Sequence, residues 1–147
     1  MNHLNPIRKT QSQTTPLSRL PRLGDNMPPS HTNYSHRNYS YCNLSGLDLS
    51  HCDFTGARFS VCNFKGCNLS HCNFTGARLA VCNFGGADLS HCDFTDADLS
   101  YSELAGCDCS YSIFVRTTLF EVNYFTSLDL TGSVLEDLNF ADFHPLD

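Results

Sequence analysis

The sequence predicts an all-β solenoid of stacked four-sided coils, and three observations predict it. From Leu44 to Leu119 every fifth residue is large and apolar, apart from Cys109, and the residue two places earlier is small except at Leu47. Residues 51–70 and 71–90 are identical at 14 of 20 positions, so a period of five sits inside a period of twenty. Glycine recurs every ten residues at Gly46, Gly56, Gly66, Gly76, Gly86 and Gly106, with Asp96 filling the one gap. A fixed short period marks a solenoid, in which each unit buries its apolar face against the next.

Taken in order, residues 1–31 are rich in Pro, Ser, Thr, Gln and Asn. Such a composition buries too little apolar surface to offset chain entropy, so a disordered tail is expected there. The solenoid is expected over residues 32–143 in about 5–6 coils, leaving 144–147 as a C-terminal tail. Its period begins at Tyr34 and Tyr39, where Thr32 and Arg37 hold the small slot. Terminal repeats are atypical because one side of them faces water. A coil of twenty residues stacks Phe54, Phe74, Phe94 and Phe114 in one column and Leu49, Leu69 and Leu89 in another.

Glycine and aspartate accept the positive φ that a type II corner needs. Bulkier residues at the intervening corners predict two alternating kinds of turn. The period slips by one residue at Phe125 and resumes at Leu130, Leu135 and Phe140. Residues 133–143 are expected either to continue as a coil or to form a short capping helix. Coils paired at ~4.8 Å give a rod roughly 27 Å long, with unpaired strand edges at its two ends.

The net charge of −6 conceals a split. Residues 1–40 hold Arg8, Lys9, Arg19, Arg22 and Arg37 against Asp25, whereas the remainder is strongly acidic. That asymmetry bears on partners rather than on fold. No apolar run is long enough to span a bilayer, so no membrane association is expected. The nine cysteines lack any CxxC pair; eight occupy the small slot in alternation with Ala57, Ala77, Ala87 and Ala97. They read as small apolar packing residues of a reducing compartment, and the expected location is cytoplasmic.

The units Cys-Asn-Leu at 42–44, Cys-Asp-Phe at 52–54 and Ala-Asp-Leu at 87–89 and 97–99 resemble the pentapeptide-repeat family, whose consensus is A(D/N)LXX. The resemblance covers roughly three quarters of the chain. It implies a right-handed quadrilateral β-helix with the central and small residues inward. Some members of that family imitate duplex DNA with rows of carboxylates and inhibit or protect DNA gyrase, and some are bacterial effectors.

The outward slot before each central residue holds Asp48, Asp53, Asp88, Asp93, Asp98 and Asp108, interspersed with asparagines. These are the candidate interaction surface, with Arg58, Lys65 and Arg78 expected to interrupt its negative field in the middle coils. Direct nucleic-acid binding is not expected, since such a body repels phosphate. His51, His71 and His91 fall at one corner of successive coils, with His31 below and Tyr111 above. Imidazole ligates zinc, copper and nickel. Against a metal site, parallel rings converge poorly on the ~2.0–2.1 Å that zinc requires, and whole-coil duplication alone would copy a surface histidine.

No nucleophile–base set, phosphate loop or paired-carboxylate pocket is present, and a core filled by Phe and Leu leaves no substrate cavity. The chain therefore reads as a non-enzyme without a cofactor. Its leading reading is a protein-interaction module, scaffold or effector with a protein partner of unknown identity; a homodimer through a solenoid end is a further expectation. A gyrase-directed DNA mimic is the alternative, and a metal-binding histidine column the third. The tail is acid-poor, Ser/Thr-rich and carries scattered Arg, as organelle leaders and effector export signals do; a plain solvated tail is the competing reading.

Overall fold

Each five-residue unit makes one side of a coil and then turns. The small and central residues point inward with one outward residue between them, as the strand period of two requires. Two further residues form the corner, and the second of these is left-handed. Positive φ recurs at every fifth residue from His31 to Glu121, at values between 53° and 74°. In the computed structural model the described residues are 30–123 and 127–140. The tail expected at 1–31 lies, through residue 29, outside them, as do residues 141–147. Ser30 and His31 already belong to the first coil, because the His31 N–H bonds the Ser50 carbonyl at 2.9 Å.

The coils stack in parallel at a spacing of twenty residues. Phe54 N–H donates to the Asn73 carbonyl at 2.7 Å, and Asn73 N–H donates back to Cys52 at 3.1 Å. Four columns of bridges result, one per side. The first runs Asn33, Asp53, Asn73, Asp93, Ile113 and the second Arg58, Arg78, Asp98, Thr118. The third runs Asn43, Asn63, Asn83, Glu103, Asn123 and the fourth Asp48, Asn68, Asp88, Asp108, Asp129. Pairing extends to three-residue strands at two places: β1 (Asn38–Ser40) with β2 (Arg58–Ser60), and β3 (Ile113–Val115) with β4 (Val134–Glu136).

Inside, Phe54, Phe74, Phe94 and Phe114 stack at 5.0 Å between successive ring centroids, within 12° of parallel. Phe64 and Phe84 form a second column at 4.9 Å. These separations lie in the range where offset stacking adds to burial. The cysteines are free thiols, all buried except the half-buried Cys42. Packing is only part of their role. The Cys67, Cys72 and Cys92 thiols donate to the carbonyls of Leu44, Leu49 and Leu69, 23 residues back, at 2.9–3.0 Å. Ser102, Ser112 and Thr117 fill the same slot and make the same bond with hydroxyls. Cysteine and alanine are thus not equivalent there, because only the thiol stitches one coil to the next.

The two kinds of corner are both left-handed and differ chiefly in hydrogen bonding. At the glycine-bearing corners the N–H of the next small residue closes a turn onto the central carbonyl, as from Ala57 to Phe54 at 2.9 Å and Ala87 to Phe84 at 2.8 Å. At a bulky corner that bond lengthens to 3.3 Å between Cys72 and Leu69. At others the same N–H turns to a side chain of the next coil, as from Cys92 to the Ser112 hydroxyl at 3.0 Å.

The slip is present. Glu103 pairs with Asn123, twenty residues on, but Asp108 pairs with Asp129, twenty-one on. The extra residue falls between Asn123 and Asp129, and residues 124–126 lie outside the described ones. Beyond it the chain continues as repeat coil: β4 pairs with β3, and Thr118 bridges Asn139. The capping-helix alternative for residues 133–143 is therefore wrong for 133–140, and the backbone donors of that stretch serve the ladder instead. Residues 141–143 lie outside the described residues.

Candidate functional site

The outward aspartates are held by the corners they precede. Asp53 Oδ1 accepts from the Thr55 N–H at 2.9 Å and the Thr55 hydroxyl at 2.6 Å. Asp93 and Thr95 repeat this at the same distances, and Asp88, Asp98 and Asp108 do so with Ser90, Ser100 and Ser110. Short polar side chains favour such contacts with the backbone two residues on. The hydrogen bonds from Ser50 hold the Asp48 carboxyl below the usual carboxylate range, and those from Thr131 do the same for Asp129. Each carboxylate is thereby fixed in direction along a rigid ladder.

The six candidate aspartates do not share one face. Asp48, Asp88 and Asp108 stand on the fourth side, joined by Asp129; Asp53 and Asp93 stand on the adjoining first side. Asp98 stands apart on the second side, above Arg78. Arg58 and Arg78 share that second side, and Lys65 stands at the corner between the third and fourth sides. The two arginines therefore do not interrupt the acidic field, whereas Lys65 stands at the edge of its fourth side. A twenty-residue coil turns positions five and ten apart onto different sides, so the interruption expected of the arginines exists only along the sequence. Arg116 sits at the corner between the first and second sides and is bound to Asp96 in a bidentate pair at 2.7 and 3.0 Å.

The histidine corner divides the two acidic sides. His31, His51, His71 and His91 are exposed and stack at 4.6–4.7 Å within 4° of parallel, and Tyr111 continues the column at 5.1 Å. Rings laid face to face direct their nitrogens side by side and not toward a common centre. Among the described residues no group of three or more His, Cys, Asp or Glu side chains is placed to hold a metal ion.

Two features escaped the sequence reading. The corner opposite the histidines carries an exposed ridge of Tyr41, Val61, Val81 and Tyr101. Its signal lies in the sequence at a ten-residue offset from the histidine column. The second is the C-terminal end, where Leu130, Val134, Leu135 and Phe140 are exposed by 37–48%. Leu130, Leu135 and Phe140 border an apolar cavity of about 200 Å³ whose lining includes Cys109 and Phe114. No helix among the described residues is long and apolar enough to cross a membrane.

The family model for pentapeptide repeats matches residues 42–80 and 82–119 in eight copies. Among solved structures, Rfr23, a pentapeptide-repeat protein of the cyanobacterium Cyanothece 51142, superposes with a TM-score of 0.71 at 15% identity, covering 74% of this chain and 88% of its own. HetL, a pentapeptide-repeat protein involved in heterocyst differentiation regulation in Nostoc sp. strain PCC 7120, is 28% identical with a TM-score of 0.52. That match covers 75% of this chain, which spans 56% of HetL. Trypsin-treated QnrB1, a plasmid-mediated fluoroquinolone resistance protein, is 18% identical with a TM-score of 0.41, covering 81% of this chain and 72% of its own. No curated protein matches the chain by sequence.

Proposed function

The chain belongs to the pentapeptide-repeat family, and from that premise we propose that it is a non-catalytic interaction module whose acidic sides dock on a basic surface of a protein partner. One observation carries this reading. Asp48, Asp88, Asp108 and Asp129 on the fourth side and Asp53 and Asp93 on the first form two acidic rows, spaced by Asn68 and Asn73 and flanking the histidine corner. Among the described residues, no Lys or Arg fills an outward slot of those two sides, and the cations at their bordering corners are Lys65 and the Asp96-paired Arg116. A rigid, single-signed surface steers an oppositely charged partner and fixes its register. HetL, involved in heterocyst differentiation regulation, is compatible with a regulatory role and not a chemical one. The reading is tested by affinity capture with the native chain and with a variant carrying Asp48→Asn, Asp88→Asn and Asp108→Asn. Partners retained by the native chain and lost by the variant support it; an unchanged set overturns it.

The same segregation favours a narrower reading, in which the two acidic sides stand in for duplex phosphates and the partner is DNA gyrase or a related topoisomerase. Purified gyrase supplies the test: inhibition of supercoiling at stoichiometric amounts, abolished by the triple Asn variant, supports it. No binding and no inhibition remove it while leaving the broader module standing.

The C-terminal end of the described solenoid supports a homodimer as the form that acts. Its exposed Leu135 and Phe140 are covered when two such ends meet. Sedimentation showing a dimer that Leu135→Glu dissociates supports this; a monomer at all concentrations overturns it. A cytoplasmic location, with export into a host cell as the alternative, belongs to the same proposal. The thiols that stitch the coils act as donors only while reduced, which a reducing compartment ensures.

A further inference from the structure

The ridge opposite the histidines lies outside the acidic field, and it is unfavourable to the folded chain in two ways. Val61 and Val81 have φ of 56° and 60°. A β-branched side chain in that region crowds its own backbone. Glycine serves at the neighbouring corners, so the fold does not require valine here. Nor does burial offset the strain, since the two side chains are exposed by 43% and 49%, and Tyr41 and Tyr101 by 80% and 56%. Beside them on the second side, Arg58 and Arg78 are direct ladder partners. Like charges so placed destabilise a sheet. Both arginines are exposed, and the one ion pair among the described residues is made elsewhere.

The two unfavourable features fall on the same two coils, and one kind of occupant offsets the first by burial and neutralises the second. We propose that the ridge formed by Tyr41, Val61, Val81 and Tyr101, flanked by Arg58 and Arg78, docks an extended acidic segment of a partner protein. Its apolar side chains cover the valines, and its carboxylates bind the guanidiniums, whose planar fork matches a carboxylate bidentately. Successive ridge residues rise ~4.8 Å, so the four span about 14 Å, the length of four or five extended residues at ~3.3 Å each. The charge also sets the position. Asp98 follows Arg78 on the second side and Glu121 follows Tyr101 on the ridge, so the acidic part of the segment lies over the N-terminal coils.

The test titrates the full chain against a labelled peptide of four Glu-Val dipeptides in tandem, its Lys-Val counterpart, and a single-stranded oligonucleotide, with anisotropy as the readout. The Glu-Val peptide is expected to bind, more weakly as salt is added. Arg58→Gln with Arg78→Gln is expected to lower its affinity at least tenfold. Val61→Asn with Val81→Asn is expected to do the same while raising Tm, because Asn accepts the left-handed conformation; a merely structural role for the valines predicts no loss of binding. His71→Gln, at the opposite corner, is expected to leave it unchanged. No binding of the Glu-Val peptide, equal binding of the Lys-Val peptide, or preference for the oligonucleotide overturns the proposal. So does affinity unchanged in both ridge variants or lost in His71→Gln. Self-association that the ridge variants abolish also overturns it, by making the ridge a contact between copies.

Discussion

The Cys67 thiol donates a 2.9 Å hydrogen bond to the carbonyl of Leu44, a residue of the coil below. That carbonyl also accepts the Leu47 N–H at 3.2 Å, so the thiol is its second donor. Cys67→Ala keeps the small volume and removes the donor, and is expected to cost about 0.5–1.5 kcal/mol, the net worth of one hydrogen bond. Cys67→Ser keeps a donor of the kind that Ser102 and Ser112 already supply in this slot, and is expected to fall within a few tenths of the native stability. Urea unfolding of the two variants checks the difference; equal losses would return the thiol to plain packing.

The same thiols set an alkaline limit. Burial pushes the Cys67 thiol from about 9 up to about 11. Between those values the unfolded chain has lost a proton that the folded chain keeps. Stability attached to this group is therefore complete below pH 9 and lost as pH rises toward 11. Unfolding free energy measured from pH 8 to 11 should fall, and the fall should be shallower in Cys67→Ala. At the acid end the sign is opposite. Asp48 and Asp129 are held low by their corner hydrogen bonds, so their contribution is present above the ordinary carboxylate range and declines on acidification through it.

Phe74 lies mid-column, fully buried, with Phe54 and Phe94 each at 5.0 Å. Truncation removes two stacking contacts and leaves a cavity that a rigid ladder on four sides cannot close. Phe74→Ala is expected to cost about 3–5 kcal/mol. Chemical denaturation monitored by far-UV circular dichroism reads it. A near-neutral result would mean that neighbouring coils collapse into the gap.

The fold was legible because periodicity encodes it twice. The five-residue unit assigns Phe74 to the interior, and the twenty-residue repeat sets it above Phe54. The slip near Phe125 was legible for the same reason, since Leu130 and Leu135 restate the register. The end was not: residues 133–140 carry too few repeats for the sequence to distinguish a coil from a helix, and only the pairing of Val134 with Ile113 decides it. The candidate site was half legible. Asp48, Asp53 and His51 are visible as outward or corner residues, but which sides they share depends on turning the coil. Read linearly, Arg58 and Arg78 stand among the acids; in space they stand on another side. The thiol donors were invisible, since nothing in a Cys/Ala alternation marks a bond to a carbonyl 23 residues back.

Two glycines at left-handed corners separate backbone strain from crowding. Gly76 has φ of 66° with nothing within 4 Å of an added Cβ, whereas at Gly132, with φ of 68°, that Cβ would stand 2.6 Å from two carbons of the Tyr111 ring. Gly76→Ala therefore incurs only the left-handed penalty of about 1–2 kcal/mol. Gly132→Ala incurs the same penalty and must also displace Tyr111, which stacks on His91 at 5.1 Å. The expected result is a larger loss of stability at Gly132 together with a shift of the His91 ring resonances, which depend on the aromatic current above them. Gly76→Ala should leave those resonances in place. Thermal melts and imidazole NMR spectra of the two variants measure both quantities. Equal melts with an undisturbed His91 would show that the Tyr111 ring swings aside freely and that the histidine column ends at His91.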